Sequence, residues 1–277
     1  MTLHKLLYDS IPKPAGGFYR RPKEVLDYTV VVVDEVSMAP KSIMDLLFTH
    51  NVYVICLGDP FQLPPISKEE DNHLLDNPHI FLDEIMRQAK ESSIIRLTMD
   101  IREQKPLNFI KDEQIQILPE KELNTSMLTW ADQVLVATNA KRCDINNQMR
   151  QMKGFGPEPC HGDKIICLRN YWDLGNYTNG DPLTNGSIGT LMNPKKTIQT
   201  VPMFAYSPGA IDVLEGGFIS ELDEDYGVLK MDPNIMLGKE SALDWRDKYK
   251  LGKLKNRIGD VIPKEFTYGY AVTGHKS

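Results

Sequence analysis

Cysteine is scarce in this chain, with four thiols (Cys56, Cys143, Cys160 and Cys167) among 277 residues. Four are too few to staple a chain of this length, so a disulfide scaffold is excluded and a reducing cytoplasm is the expected compartment. Long apolar runs are missing too. The longest, around Val30 to Val33 and Val52 to Leu57, fall far short of the ~18 residues of a membrane span, and no basic-then-apolar leader opens the chain. No membrane partner is expected. Positive charge is also in deficit: 32 Lys+Arg stand against 38 Asp+Glu, for a net charge of -6 and a pI near 5.6. A global basic field that would hold nucleic acid is therefore absent, and any such site must be local. Paired Cys-x-x-Cys spacing is lacking as well, which argues against zinc at the neighbouring Cys160, His161 and Cys167.

What is present is ordinary globular usage, 41% hydrophobic and 25% charged with 19 Gly and 18 Pro. Collagen-like, low-complexity and wholly disordered classes are excluded. At roughly 150 residues per domain the length predicts about two domains. Tyr28 to Val33 and Val52 to Leu57 read as strands covered on both faces, with a helix between them that starts after Pro40 and turns Ile43, Leu46 and Leu47 to one side. That order is a βαβ unit with a right-handed crossover. Ligands of open parallel sheets bind beyond the carboxyl ends of the strands, where Asp34-Glu35 and Gly58-Asp59 fall. A helix is expected from Leu82 to Ala89, then a second α/β domain opening with strand Gln133 to Ala137 and a helix around Ile145 to Met152. Strand Lys164 to Leu168 follows between two turn-rich stretches. The domains are placed at residues 1–78 and 79–277 with a hinge near Pro78, and a small all-β insertion at about 190–262.

Chemistry concentrates at the two strand ends. A carboxylate closing a buried strand, Asp34, can hold Mg²⁺ through its water shell, and a second beside it, Glu35, can orient and deprotonate water. The same pair can also be a simple solvated strand end. The next strand runs into Gly58-Asp59-Pro60-Phe61-Gln62-Leu63-Pro64-Pro65, a turn stiffened by prolines that brings an amide, Gln62, to the same cleft, where it can sense a terminal phosphate. Farther on, Arg246 to Arg257 holds six cations against Asp247, with Trp245 and Tyr249 interleaved. That cluster reads either as a single-strand platform or as a solvated hairpin of the β insertion.

Asp-Glu-Val-Ser-Met at 34–38 and Gly58-Asp59 through Pro65 resemble motifs II and III of the superfamily-one helicases, in the RecD and Dda branch. The resemblance continues in order through Thr2 to Leu7, Leu82 to Ile95, Thr138-Asn139 through Asn146 and Arg150, Gly162-Asp163-Lys164, Asn185-Gly186 to Gly189, and Tyr268 to Ser277. It implies an α/β fold of tandem RecA-like (P-loop NTPase) lobes, the first lobe incomplete and the second carrying a small SH3-like β insertion. It implies an ATP-dependent DNA helicase, using ATP and Mg²⁺, that translocates 5′-to-3′ on single-stranded DNA, with replication or recombination proteins as possible partners, in a bacterial or phage-infected cell. By resemblance the catalytic residues are Glu35, Gln62 and Arg87, the nucleotide contacts Asp34, Glu35, Gln62, Arg87 and Lys276, and the metal ligand Asp34. The DNA contacts are His4, Pro64, Asn139, Thr273 and His275. Arg87 would act as an arginine finger from the second lobe, or be a surface ion-pair partner; Gln88 would assist it or cap the helix; His275 alone would read as structural.

The phosphate-cradling Gly-x-x-x-x-Gly-Lys-Ser/Thr loop is absent, since Pro233 and Glu240 spoil the nearest candidate at Gly238-Lys239. The chain is therefore expected to be a fragment cut before Thr2 and within Thr273 to Ser277, with negligible ATP hydrolysis by itself. A non-catalytic nucleic-acid-binding module is the alternative, and a metal-dependent exonuclease component a third reading.

Overall fold

A computed structural model of the chain describes residues 1–12, 18–65, 67–82, 92–177, 179–202, 209–258 and 261–274. Two compact units result, Met1–Glu122 and Leu123–Ser277, so the boundary expected near Pro78 falls inside the first unit. All but the first residue of the helix expected at Leu82 to Ala89, and with it Arg87 and Gln88, lies outside the described residues, as do His275 and Lys276.

The first unit contains α1 (Leu3–Leu7), β1 (Tyr8–Pro12), β2 (Phe18–Pro22), β3 (Val30–Val33), α2 (Lys41–Phe48), β4 (Tyr53–Cys56), α3 (Ser93–Arg102), β5 (Ile110–Lys111) and β6 (Gln116–Ile117). Strands β3 and β4 are parallel, with Val30 opposite Tyr53 and Val33 opposite Cys56, and α2 is the crossover. The predicted βαβ unit is thus present. Helix α2 turns Ile43, Met44 and Leu47 inward against Leu6, Leu7, Val31 and Val33, which together make this unit's core. The reading of both strands as covered on both faces is corrected. Val31 and Val33 are buried, but Val30, Val32, Tyr53 and Ile55 are 46%, 57%, 75% and 50% exposed. The physical reason is that α1 and α2 pack on one face only, and an unbroken valine run does not reveal how many layers lie over it.

The second unit contains α4 (Thr125–Trp130), β7 (Val134–Val136), α5 (Asn139–Met152), β8 (Lys164–Cys167), β9 (Tyr171–Gly175), β10 (Pro182–Leu183), β11 (Ile188–Thr200), β12 (Ala210–Ser220), β13 (Asp225–Met231), α6 (Pro233–Met236), α7 (Trp245–Ile258), β14 (Phe266–Tyr268) and β15 (Ala271–Thr273). Strand β15 pairs in parallel with β7, Thr273 lying opposite Val136. A separate antiparallel sheet runs in the order β13-β12-β11-β8-β14. The core lies under these strands and α5, with Phe218, Phe266, Ile165 and Leu191 fully enclosed.

The expected all-β insertion is corrected in two respects. Its strands extend the sheet that holds β8 and β14. The span read as a possible hairpin is a 14-residue helix, α7. Asp244 Oδ1 accepts from the backbone N–H groups of Arg246 and Asp247, both at 2.8 Å, which caps the first turn. The Lys, Arg and Leu that follow favour helix, and the interleaved charges masked that periodicity in the sequence.

Candidate nucleotide and nucleic-acid sites

Beyond β3 the chain bends sharply. Asp34 Oδ1 accepts the Glu35 N–H at 2.9 Å, and Glu35 takes a left-handed backbone (φ 55°, ψ 41°) before the short 3₁₀ turn Val36–Met38. Both carboxylates are exposed. The next strand end is tied to this bend, because the Val36 N–H donates to the Leu57 carbonyl at 3.0 Å and the Leu57 N–H to the Val33 carbonyl at 2.8 Å. Gly58 sits at that junction for a steric reason. A Cβ there would meet Leu75 Cδ1 at 2.9 Å and Val36 Cγ1 at 3.2 Å, so the Leu75 side chain and the Val36 turn would have to shift to admit one.

The loop after Gly58 is held by Asp59. Its Oδ1 accepts the Phe61 N–H at 3.0 Å and its backbone carbonyl accepts the Gln62 N–H at 3.1 Å, while its Oδ2 forms an ion pair with Arg102 of α3. The Arg102 guanidinium also lies over the Phe61 ring, 5.1 Å from its centroid. Sequence reading missed Arg102. An arginine 43 positions from its partner leaves no local spacing signal; only the position of α3 reveals the pairing.

Gln62 and Pro64 are exposed and line a small pocket with Ser37, Asn72 and His73. The Ser37 hydroxyl is buried and has no hydrogen-bond partner. Asn72 closes the floor by donating to the Val36 and Ala39 carbonyls, each at 2.8 Å. With about 70 Å³ of space, the pocket holds a few waters and not a nucleotide. It thereby brings the Ser37 turn and the Gln62 loop, the two predicted motifs, to one wall. His4, the other predicted contact in this unit, is exposed on α1 with its ring 6.0 Å from that of Tyr8. Partial burial and then the Arg20 charge lower its pKa.

Asp34 suits a Mg²⁺ that keeps most of its water shell, because such an ion takes one or two carboxylates and completes its sphere from water and phosphate. Among the described residues, no group of three or more His, Cys, Asp or Glu side chains could enclose a metal ion. The two-metal cluster needed by the exonuclease reading has no donor set there. At the zinc candidate, the Cys160 thiol bonds Asp163 Oδ2 at 3.4 Å, His161 Nδ1 accepts the Asn193 N–H at 3.2 Å and the Cys167 thiol donates to the Arg169 carbonyl at 3.1 Å. Each side chain is engaged elsewhere, and burial pushes the Cys167 thiol up to about 11.

In the second unit the predicted contacts Asn139 and Thr273 lie at the carboxyl ends of the parallel pair β7–β15. Thr138 caps α5 by accepting the Lys141 N–H at 3.2 Å, which places Asn139 at the first turn. Asn146, buried on α5, clamps the adjoining strands: its amide nitrogen donates to the Tyr268 and Ala271 carbonyls at 3.0 and 3.3 Å, and its oxygen accepts the Ala271 N–H at 2.7 Å. One turn on, Arg150 is buried with Asp163, pairing Nε with Oδ1 at 2.8 Å and Nη2 with Oδ2 at 3.1 Å, and its guanidinium lies 4.2 Å from the Tyr268 ring centroid. Asn146 and Arg150 thus position β15 and the Gly154 to Gly162 turn.

Residues 1–120 match the AAA domain family. An uncharacterized protein of Acanthamoeba polyphaga mimivirus is 36% identical over 104 residues, covering 31% of this chain and 21% of that protein. The crystal structure of Pif1 helicase from Candida albicans superposes with a TM-score of 0.50 at 13% identity, covering 90% of this chain and 63% of that one. In both comparisons the chain spans less than two thirds of its relative's length. The parallel pairs and this superposition agree on an α/β, RecA-like fold, and residues 1–120 match the AAA domain model.

Proposed function

We propose that this chain serves an ATP-dependent motor that moves on single-stranded DNA. The reading rests on one observation above others: the Val36-to-Leu57 hydrogen bond sets the Asp34-Glu35 bend beside the Gly58 to Gln62 loop at the carboxyl ends of β3 and β4. In this reading Asp34 holds Mg²⁺, Glu35 orients the attacking water and accepts its proton, and Gln62 senses the terminal phosphate. Bound Mg²⁺ supplies charge neutralisation on the phosphates. Arg87 and Lys276 complete the nucleotide contacts, and His4, Pro64, Asn139, Thr273 and His275 line the strand, which is travelled 5′-to-3′. Replication or recombination proteins are the partner class.

No Gly-x-x-x-x-Gly-Lys-Ser/Thr occurs in these 277 residues, which favours a second reading, a nucleic-acid-binding module without turnover. Phosphate release separates the two. The complete gene product is expected to show DNA-stimulated ATP turnover that Glu35→Gln lowers by about 100-fold or more while nucleotide binding persists. Unchanged turnover in that variant removes Glu35 from the mechanism, and no turnover in the parent leaves the binding module.

A further inference from the structure

Glu35 has a left-handed backbone, φ 55°, and a non-glycine residue keeps that conformation only where its surroundings over-determine it. Its side chain is exposed, so the constraint acts through the backbone of the 3₁₀ turn Val36–Met38. The Val36 N–H is tied to the Leu57 carbonyl at 3.0 Å, and the Met38 N–H returns to the Glu35 carbonyl at 3.2 Å. Asn72 closes the turn from the other side. Its amide nitrogen donates to the Val36 and Ala39 carbonyls, each at 2.8 Å, so one planar group bridges both ends of the turn. Its Oδ1 accepts the Leu74 N–H at 2.9 Å, which fixes the orientation of the amide. The segment that carries Asn72 is anchored on both sides. Glu70 Oε2 accepts the Ser42 N–H at 3.0 Å and the Ser42 hydroxyl at 2.8 Å at the start of α2, while Leu74 and Leu75 pack on the core of the first unit.

We infer that Asn72 is a positioning residue for the activation of water: by bridging the ends of the Val36–Met38 turn it keeps Glu35 in its left-handed backbone and so aims the carboxylate. The inference rests on the motor reading above and adds to it a residue that acts through Glu35. Without the two donated bonds, Glu35 is free to return to a commoner backbone conformation, which swings its carboxylate out of line. Asp34 precedes the turn and stays at the end of β3, which the Leu57 N–H holds through the Val33 carbonyl at 2.8 Å. The loss should therefore fall on turnover and spare nucleotide affinity, because a catalytic group displaced by ~1 Å costs about 100-fold in rate.

The test has a structural and a kinetic arm. In the chain itself, Asn72→Ala should speed hydrogen exchange at the Met38 and Ala39 amides by about 10-fold or more relative to the β4 amides, since two hydrogen bonds on the turn are lost. In the complete gene product, the same change should lower kcat for DNA-stimulated ATP turnover about 100-fold with KM for ATP within about 2-fold of the parent. Asn72→Asp, which keeps the acceptor for Leu74 but has no donor when ionised, should do the same and serves if the alanine variant fails to fold. Added to Glu35→Gln, Asn72→Ala should cost nothing more, because both act through one side chain. Glu70→Ala frees the same segment at its other anchor and should leave kcat within about 2-fold. Unchanged kcat or amide exchange in the Asn72 variants, an additive loss in the double variant, or an equal loss in Glu70→Ala overturns the inference while the motor reading stands. A parent without turnover removes both.

Discussion

Glu35 holds a backbone conformation that non-glycine residues seldom adopt, at a cost of about 1 kcal/mol or more. Its side chain is exposed, so no packing repays that strain. The bend nevertheless puts the residue beside Asp34, where the proposed activation of water would use it. Glu35→Gly should therefore leave the first unit as stable as the parent or more stable by up to about 1 kcal/mol, the relief of strain being partly offset by the freer unfolded chain. Hydrogen exchange at the β3 and β4 amides would read this. A clear loss of protection would mean that the glutamate side chain supports the fold. Asp34, Glu35 and Gln62 were legible as candidates because strand ends announce themselves in valine runs and turn residues. Arg102, Asn146 and the Arg150–Asp163 pair lacked such signals, since their partners lie in other elements.

At the scale of elements, the Arg150–Asp163 pair joins α5 to the turn before β8. Arg150 Nη2 also donates to the Glu158 carbonyl at 2.6 Å, Asp163 Oδ2 accepts the Cys160 N–H at 2.8 Å, and the Tyr270 hydroxyl bonds Asp163 Oδ1 at 3.1 Å. Asp163→Ala would strand a buried guanidinium. Breaking such a pair costs about 3–5 kcal/mol, so the second unit should lose that much stability in urea denaturation followed by circular dichroism. A loss below about 1 kcal/mol would show that water or the carbonyls satisfy Arg150 without it. Helix α7 teaches the opposite lesson about legibility. Its composition favoured helix, yet its charges read equally well as a hairpin surface until the Asp244 cap and the burial of Asp247 and Leu251 gave it an inner side.

Across the second unit, Glu265 connects distant parts of the chain. It accepts from Arg169 and from Lys248 of α7, each at 2.9 Å, while its own N–H donates to the Tyr171 hydroxyl on β9 at 2.7 Å. Burial alone would raise its pKa, but the hydrogen bonds and charges of Arg169 and Lys248 outweigh it and hold the carboxyl below its ordinary 4.5. The folded state therefore binds fewer protons there than the unfolded chain. Its contribution is present above about 4.5 and is lost as pH falls through the lowered value. Asp247 has the reverse sign: burial first, and then Asp244, raise its carboxyl above 3.8, so its contribution is whole below that value and declines as pH rises through the raised one. Acid titration of stability should show Glu265→Gln less sensitive to acid than the parent, whereas Asp247→Asn should gain stability at neutral pH. Parallel shifts in both variants would contradict these assignments.

The sequence by itself determined the chemistry on offer, because residue types and their spacing specify a βαβ crossover, acidic and amide strand ends, a missing phosphate loop and a local surplus of cations. Tertiary structure alone decided which face of β3 and β4 is covered, that α7 aligns its cations, and that Arg102 and Arg150 find their carboxylates. Those outcomes depend on distances between segments far apart along the chain, and such distances are set by packing, which no local spacing encodes.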